Sequence, residues 1–151
     1  MGDGFSRAFV VRWADLDFNG HMKNTAYLDV CGDVRMMFFE ANGFSMREFE
    51  RRRVGPVIVR DEVEYFREMR LLEPFVVDIR LVGMSDDAVR FRIRNAFARE
   101  DGKPVARVTS TGGWFDLAER KLVAPPDELA EVIRAMPRTD DYETLPPAKR
   151  P

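Results

Sequence analysis

The chain has 151 residues, enough for one domain with a core of its own. Its 24 basic and 26 acidic residues give a net charge of −2, which excludes nucleic-acid binding driven by a basic surface. A single cysteine excludes an internal disulfide and points to a reducing compartment, the cytoplasm, and no apolar run approaches the roughly 20 residues of a membrane span. The start of the chain lacks the charged and apolar pattern of a secretory leader. Gly2 and Ser6 fit a myristoylation pattern only loosely, with no second membrane signal beside them.

Residues 8–14 alternate, with Phe9, Val11 and Trp13 on one face, and predict a strand. Asp15 and Asp17 follow at its end, then a turn holding Gly20 and His21, the only histidine. From Tyr27 the apolar residues Tyr27, Cys31, Val34, Phe38 and Ala41 keep a three-and-four spacing, widened by Leu28, Val30 and Met37. This predicts a mostly buried helix, started by Asn24 or Thr25 as cap and ended by Asn42-Gly43. Residues 44–55 are charged and read as a short helix and loop.

Pro56 opens a strand-rich half, with strands expected at 57–66, 75–82, 88–99 and 104–117. In the third of these, Val89, Phe91, Ile93 and Phe97 alternate with Arg90, Arg92 and Arg94, the pattern of an antiparallel sheet covered on one face. Asp86-Asp87 and Asp101-Gly102 supply turns. Pro125-Pro126-Asp127-Glu128 then opens a helix with Leu129, Val132, Ile133 and Met136 on one side. We expect one domain over 1–136 and a Pro-rich, charged tail over 137–151, mobile or draped on a partner.

The stretch from Asp15 to Tyr27 carries the chemistry. A carboxylate that faces a helix N-terminus can act as base or nucleophile while free N–H groups polarise a carbonyl. The same stretch, Asp15-Leu16-Asp17-Phe18-Asn19-Gly20-His21-Met22-Lys23-Asn24, resembles the signature Asp-x-Asp-x-x-Gly-His-x-x-Asn of the hotdog-fold acyl-coenzyme A thioesterases, the 4-hydroxybenzoyl-coenzyme A thioesterase-like family. Val54-Gly55-Pro56-Val57-Ile58-Val59 is similar to that family's entry into its second strand. The resemblance covers about residues 8–136. It implies an α+β hotdog fold, an antiparallel five-stranded sheet wrapped around one long central helix.

It also implies hydrolysis of an acyl-CoA or acyl-carrier thioester without a cofactor. Asp17 would be the nucleophile or general base, and backbone N–H groups around Lys23, Asn24 and Thr25 would bind the carbonyl oxygen. Gly20 would let the chain turn against the acyl group, and Tyr27 would line the site or the core beneath it. His21 is read as a strut for the loop, Asp15 as structural, Asn24 as a cap and Cys31 as core. The family pairs subunits edge to edge, so a homodimer or a tetramer of dimers is expected.

One histidine and one cysteine cannot build the usual zinc sites, and no metal is expected. Arg51 to Arg53, Arg60, Arg67 and Arg70 are candidates for coenzyme A phosphates, although most read as solvated face residues. Where the family often carries basic residues, between its third and fourth strands, this chain has Ser85-Asp86-Asp87. That acidic turn leaves open a carrier-protein substrate or a differently seated coenzyme A. Two alternatives stand beside the hydrolase: a hotdog hydratase or dehydratase using a histidine and an acid, and a non-catalytic acyl-thioester or lipid-binding protein.

Overall fold

The computed structural model describes residues 4–148, so Gly2 of the myristoylation pattern lies outside the described residues. Seven strands and three α-helices follow in the order β1 (Phe5–Val10), α1 (Ala26–Ala41), α2 (Met46–Arg52), β2 (Val54–Tyr65), β3 (Pro74–Ser85), β4 (Arg90–Arg99), β5 (Pro104–Asp116), β6 (Lys121–Val123), α3 (Asp127–Arg134) and β7 (Arg138–Leu145). The sheet runs β1-β3-β4-β5-β2, and every pairing on that path is antiparallel. The expected count of five strands is therefore corrected to seven among the described residues. β6 pairs with β5, and β7 pairs with β3.

α1 forms where the apolar spacing puts it. Ala26, Tyr27, Val30, Cys31, Val34, Phe38 and Phe39 are buried on it. Its C-cap is Asn42, and Gly43 follows at a φ of 91°. The sheet answers with the alternating residues Phe75, Val77, Ile79 and Leu81 of β3 and Phe91, Ile93 and Phe97 of β4, none more than 2% exposed. Trp114 of β5 is fully buried and lies in an aromatic cluster with Phe39, Phe49 and Phe91. Cys31 belongs to this core, and burial pushes its thiol up to about 12.

β2 is one end of the sheet path, and β1 is the other. Its register against β5 slips between Ile58 and Arg60, which leaves Val59 as an extra residue, two-thirds exposed. At the slip β2 presses on Gly112 of β5. A Cβ there would stand 2.0 Å from the Val57 carbonyl oxygen.

Two expectations are corrected by local packing. The strand expected over 8–14 ends at Val10, and Trp13–Asp15 form a 3-10 turn. Asp15 folds back on Arg12, whose backbone N–H and guanidinium both donate to its carboxylate, and that clamp turns the chain. Trp13, expected on one face with Phe9 and Val11, is 79% exposed, while Val11 is fully buried.

The second correction concerns the tail. Residues Arg138–Leu145, within the expected tail, are a strand parallel to the second half of β3 and join the sheet. Arg94 donates two bonds to Asp141 and Arg92 one to Glu143. The Arg94 hydrogen bond leads in holding the Asp141 carboxyl down at about 2. Gly83 permits the approach, because a Cβ there would meet the Glu143 carbonyl oxygen at 2.6 Å. A tail that reads as polar is held by the arginine side of a sheet, a partner that periodicity does not disclose.

Candidate active site

The loop between β1 and α1 is built as a small hairpin. Leu16 and Met22 form an isolated antiparallel bridge, and the Asp17 N–H donates to the His21 carbonyl at 2.8 Å. Gly20 closes the loop at a φ of 76°, in the region where glycine is favoured. The Met22 N–H donates to Met69, and His21 bridges to Arg70, so the hairpin is fastened to the segment after β2.

This geometry fixes the Asp17 side chain. Its Oδ1 accepts the backbone N–H groups of Asn19 at 2.8 Å and His21 at 3.1 Å. Its Oδ2 accepts no hydrogen bond from the described residues. One oxygen anchors the carboxylate and the other has no donor among the described residues. Asp17 is exposed and lines a cleft of about 350 Å³ together with Asn24 and Tyr27. Tyr65, Phe66, Arg67 and Glu68 form the opposite wall.

The expected carbonyl-binding groups separate into used and unused ones. The Lys23 N–H donates to the Asp15 carbonyl at 2.7 Å, which removes Lys23 from the donors. The N–H groups of Asn24 and Thr25 donate to nothing among the described residues. Thr25 occupies the N-cap position without a side-chain cap bond, and Asn24 serves through its carbonyl, which accepts the Tyr65 hydroxyl at 3.0 Å. A helix start with free N–H groups and a partial positive charge thus borders the cleft that Asp17 lines.

The remaining predicted residues form the frame. Tyr27 is 2% exposed and packs edge-on against Tyr65 and Phe97, and burial pushes its phenol up to about 12. His21 Nε2 lies 3.2 Å from Glu68 Oε2, tying the loop to the opposite wall. Gly20, His21, Lys23 and Thr25 are not among the cleft walls. Sequence reasoning missed Tyr65, Phe66 and Glu68 as site residues and named Arg67 only as a phosphate candidate. Their nearness to Asp17 follows from strand register and leaves no local signal.

Asp15 is 5% exposed. Burial alone would push its carboxyl up, but the bonds from Arg12 outweigh it and hold the carboxyl below the usual aspartate range. A carboxyl lowered on folding adds stability above its unfolded value, and that stability is lost as pH falls through the folded value. Asp15→Asn is therefore expected to melt below wild type at neutral pH. The gap should close as pH falls below about 4, the ordinary aspartate value. Melting curves between neutral and strongly acid pH check this, and a gap independent of pH would refute the clamp.

A family model described as the thioesterase-like superfamily matches residues 11–133, most of the chain. The chain belongs to the thioesterase-like superfamily. It is 26% identical over 118 residues to an L-carnitine dehydrogenase/betainyl-CoA thioesterase of Agrobacterium fabrum. That match takes in 78% of this chain and 24% of the relative, so the chain spans about a quarter of that protein's length. Among solved structures, a Staphylococcus aureus protein in complex with CoA superposes with a TM-score of 0.81 at 21% identity, covering 99% of this chain and 90% of that one. A 1,4-dihydroxy-2-naphthoyl-CoA thioesterase from Synechocystis superposes with a TM-score of 0.78 at 18% identity, covering 87% and 96%. The shared architecture is the hotdog fold. No described helix is long and apolar enough to cross a membrane.

Proposed function

We propose that the protein hydrolyses an acyl-coenzyme A thioester to free acid and thiol. The observation that carries this is Asp17, anchored by one carboxylate oxygen and free at the other, in the cleft beside the unsatisfied start of α1. The thioester carbonyl oxygen takes the N–H group of Asn24, the unused donor that lines the cleft. The free oxygen of Asp17 then either attacks the carbonyl carbon or removes a proton from an attacking water. In both cases the C–S bond breaks and the thiolate leaves; the first route leaves an acyl anhydride on Asp17, which water hydrolyses to the free acid and the carboxylate. The superfamily, the neighbour solved with CoA and the named CoA thioesterases support this reading. The test is thiol release from a panel of acyl-CoA esters with short, long, aromatic and quaternary-ammonium acyl groups, the last suggested by the betainyl-CoA relative. Hydrolysis of at least one member is expected, and none across the panel would refute the proposal.

The same preparations separate hydrolase from hydratase. The His21 backbone N–H donates to the Asp17 carboxylate and its imidazole meets Glu68, which supports a strut role. His21→Ala should retain measurable thiol release, reduced by up to about a hundredfold through misplacement of the loop. Neither form should hydrate an enoyl thioester. Robust hydration by wild type, abolished in the variant, would overturn the hydrolase reading.

The free edge of β2 supports self-association in a reducing, cytoplasmic setting, with a second copy completing the sheet edge to edge. A homodimer, or a tetramer of dimers, is expected to persist at low micromolar concentration in sedimentation velocity runs. A fully active monomer there would disprove it.

A further inference from the structure

The acidic turn Ser85-Asp86-Asp87 leaves the polar end of a coenzyme A substrate without a cationic seat between β3 and β4. A second cavity supplies one elsewhere. It measures about 540 Å³ and lies at the end of the β4–β5 hairpin, between Ala96, Ala98, Pro104 and Arg107 on one side and Phe66 and Arg67 on the other. This volume falls within the roughly 300–1,000 Å³ of ordinary ligand sites. Phe66 and Arg67 also line the cleft that holds Asp17, so the two cavities share a wall. The N–H groups of Phe66 and Arg67 both donate to the Val105 carbonyl, at 2.8 and 3.1 Å, which fixes that wall to the hairpin.

We propose that this second cavity seats the 3′-phosphoadenosine diphosphate end of coenzyme A, with Arg67 and Arg107 on its phosphates and Phe66 against the adenine; the assignment rests on the thioesterase reading above. The charges fit. Arg67 spends one N–H on the Pro104 carbonyl and has no carboxylate partner among the described ion pairs. Arg107 is held by Glu64 through Nε and one terminal nitrogen, which leaves its other terminal nitrogen free to donate. Two guanidinium forks suit phosphate oxygens better than point charges do. Phe66 is about half exposed, and the Arg107 guanidinium stands 5.9 Å from its ring centre, a half-covered aromatic face of the kind on which bases stack. The acidic groups nearby are already engaged: Glu64 with Arg107, Asp101 with Lys103, Glu68 with His21. A substrate lying across the shared wall has its thioester at Asp17 and its nucleotide on the hairpin.

The probes are coenzyme A, which has no thioester, and adenosine 3′,5′-bisphosphate, each titrated into the full chain by calorimetry. Wild type is expected to bind both saturably, with affinity falling as salt rises. Arg67→Gln and Arg107→Gln should each weaken both at least about tenfold. Arg80→Gln, an exposed arginine paired with Asp78, should bind as wild type, and circular dichroism checks that every variant is folded. Unchanged binding by folded Arg67→Gln and Arg107→Gln would overturn the site. So would binding of 4′-phosphopantetheine without binding of adenosine 3′,5′-bisphosphate, which would assign the substrate to a carrier protein. The hydrolase reading stands or falls separately, on thiol release from the acyl-CoA panel. Hydrolysis with unchanged variant binding refutes only the nucleotide seat, and lost variant binding without hydrolysis by wild type refutes only the enzyme.

Discussion

Asp17→Asn is expected to lower kcat for thioester hydrolysis by at least about a hundredfold while leaving the fold intact. The argument lies in the two carboxylate oxygens. Oδ1 is committed to the N–H groups of Asn19 and His21, and an asparagine carbonyl oxygen accepts the same two bonds. The loop therefore keeps its shape. The substitution replaces only Oδ2, turning an acceptor that can attack or take a proton into an amide N–H₂ that can do neither. Steady-state kinetics on the best substrate of the acyl-CoA panel, alongside a melting curve, checks both halves. Near wild-type turnover by a folded Asn variant would remove Asp17 from the chemistry.

Gly112→Ala should produce the largest loss of stability from a single methyl group. The added Cβ would stand 2.0 Å from the Val57 carbonyl oxygen and 3.2 Å from the Ile58 Cα, both backbone atoms that no rotamer change can move. β2 must lift away from β5 over Val57 and Ile58. Overpacking of a tight site costs typically 1–3 kcal/mol, and a backbone clash of this depth is expected at about 3 kcal/mol or more. For a chain of this size that corresponds to a fall in Tm of roughly 6–12 °C. Because β2 ends at Tyr65, whose hydroxyl bonds the Asn24 carbonyl, the cleft should loosen as well. A calorimetric Tm equal to wild type would show that the β2 bulge is not held in this register.

Much of this was legible in the residues because the deciding forces are local. α1 is written in its three-and-four spacing, and Asn42-Gly43 ends it through local backbone conformation and the Asn42 side-chain bond to the Phe38 carbonyl. β2 to β5 fall near their expected positions because alternation reports a sheet with one covered face. The Asp17 loop was readable because the bonds that anchor its carboxylate run between residues no more than four apart. What stayed hidden depends on contacts between distant segments. The Tyr65 hydroxyl reaches Asn24 across 41 positions, and only the register of β2 on β5 decides that it does. β7 reads as a polar tail because the groups that hold it, Arg92 and Arg94, lie some 50 residues earlier and look like solvated side chains in sequence. The strand over 8–14 failed for a different reason: alternation favoured extension, and the Arg12–Asp15 clamp overrode it within four residues.

The extra residue at Val59 makes the open side of β2 selective about what can join it. A strand with regular pleat offers the same sequence of donors and acceptors along its whole length, and any extended segment can zip onto it. Past Val59 the pleat changes phase. An intruding strand that aligns with the stretch near Tyr65 meets donor against donor once it passes the bulge, so spurious zippering stops after a few residues. Only a partner carrying a matching dislocation at the matching place can run the full length. The irregularity that presses Val57 on Gly112 inside the sheet thus also acts at the rim as a filter against indiscriminate cross-β growth.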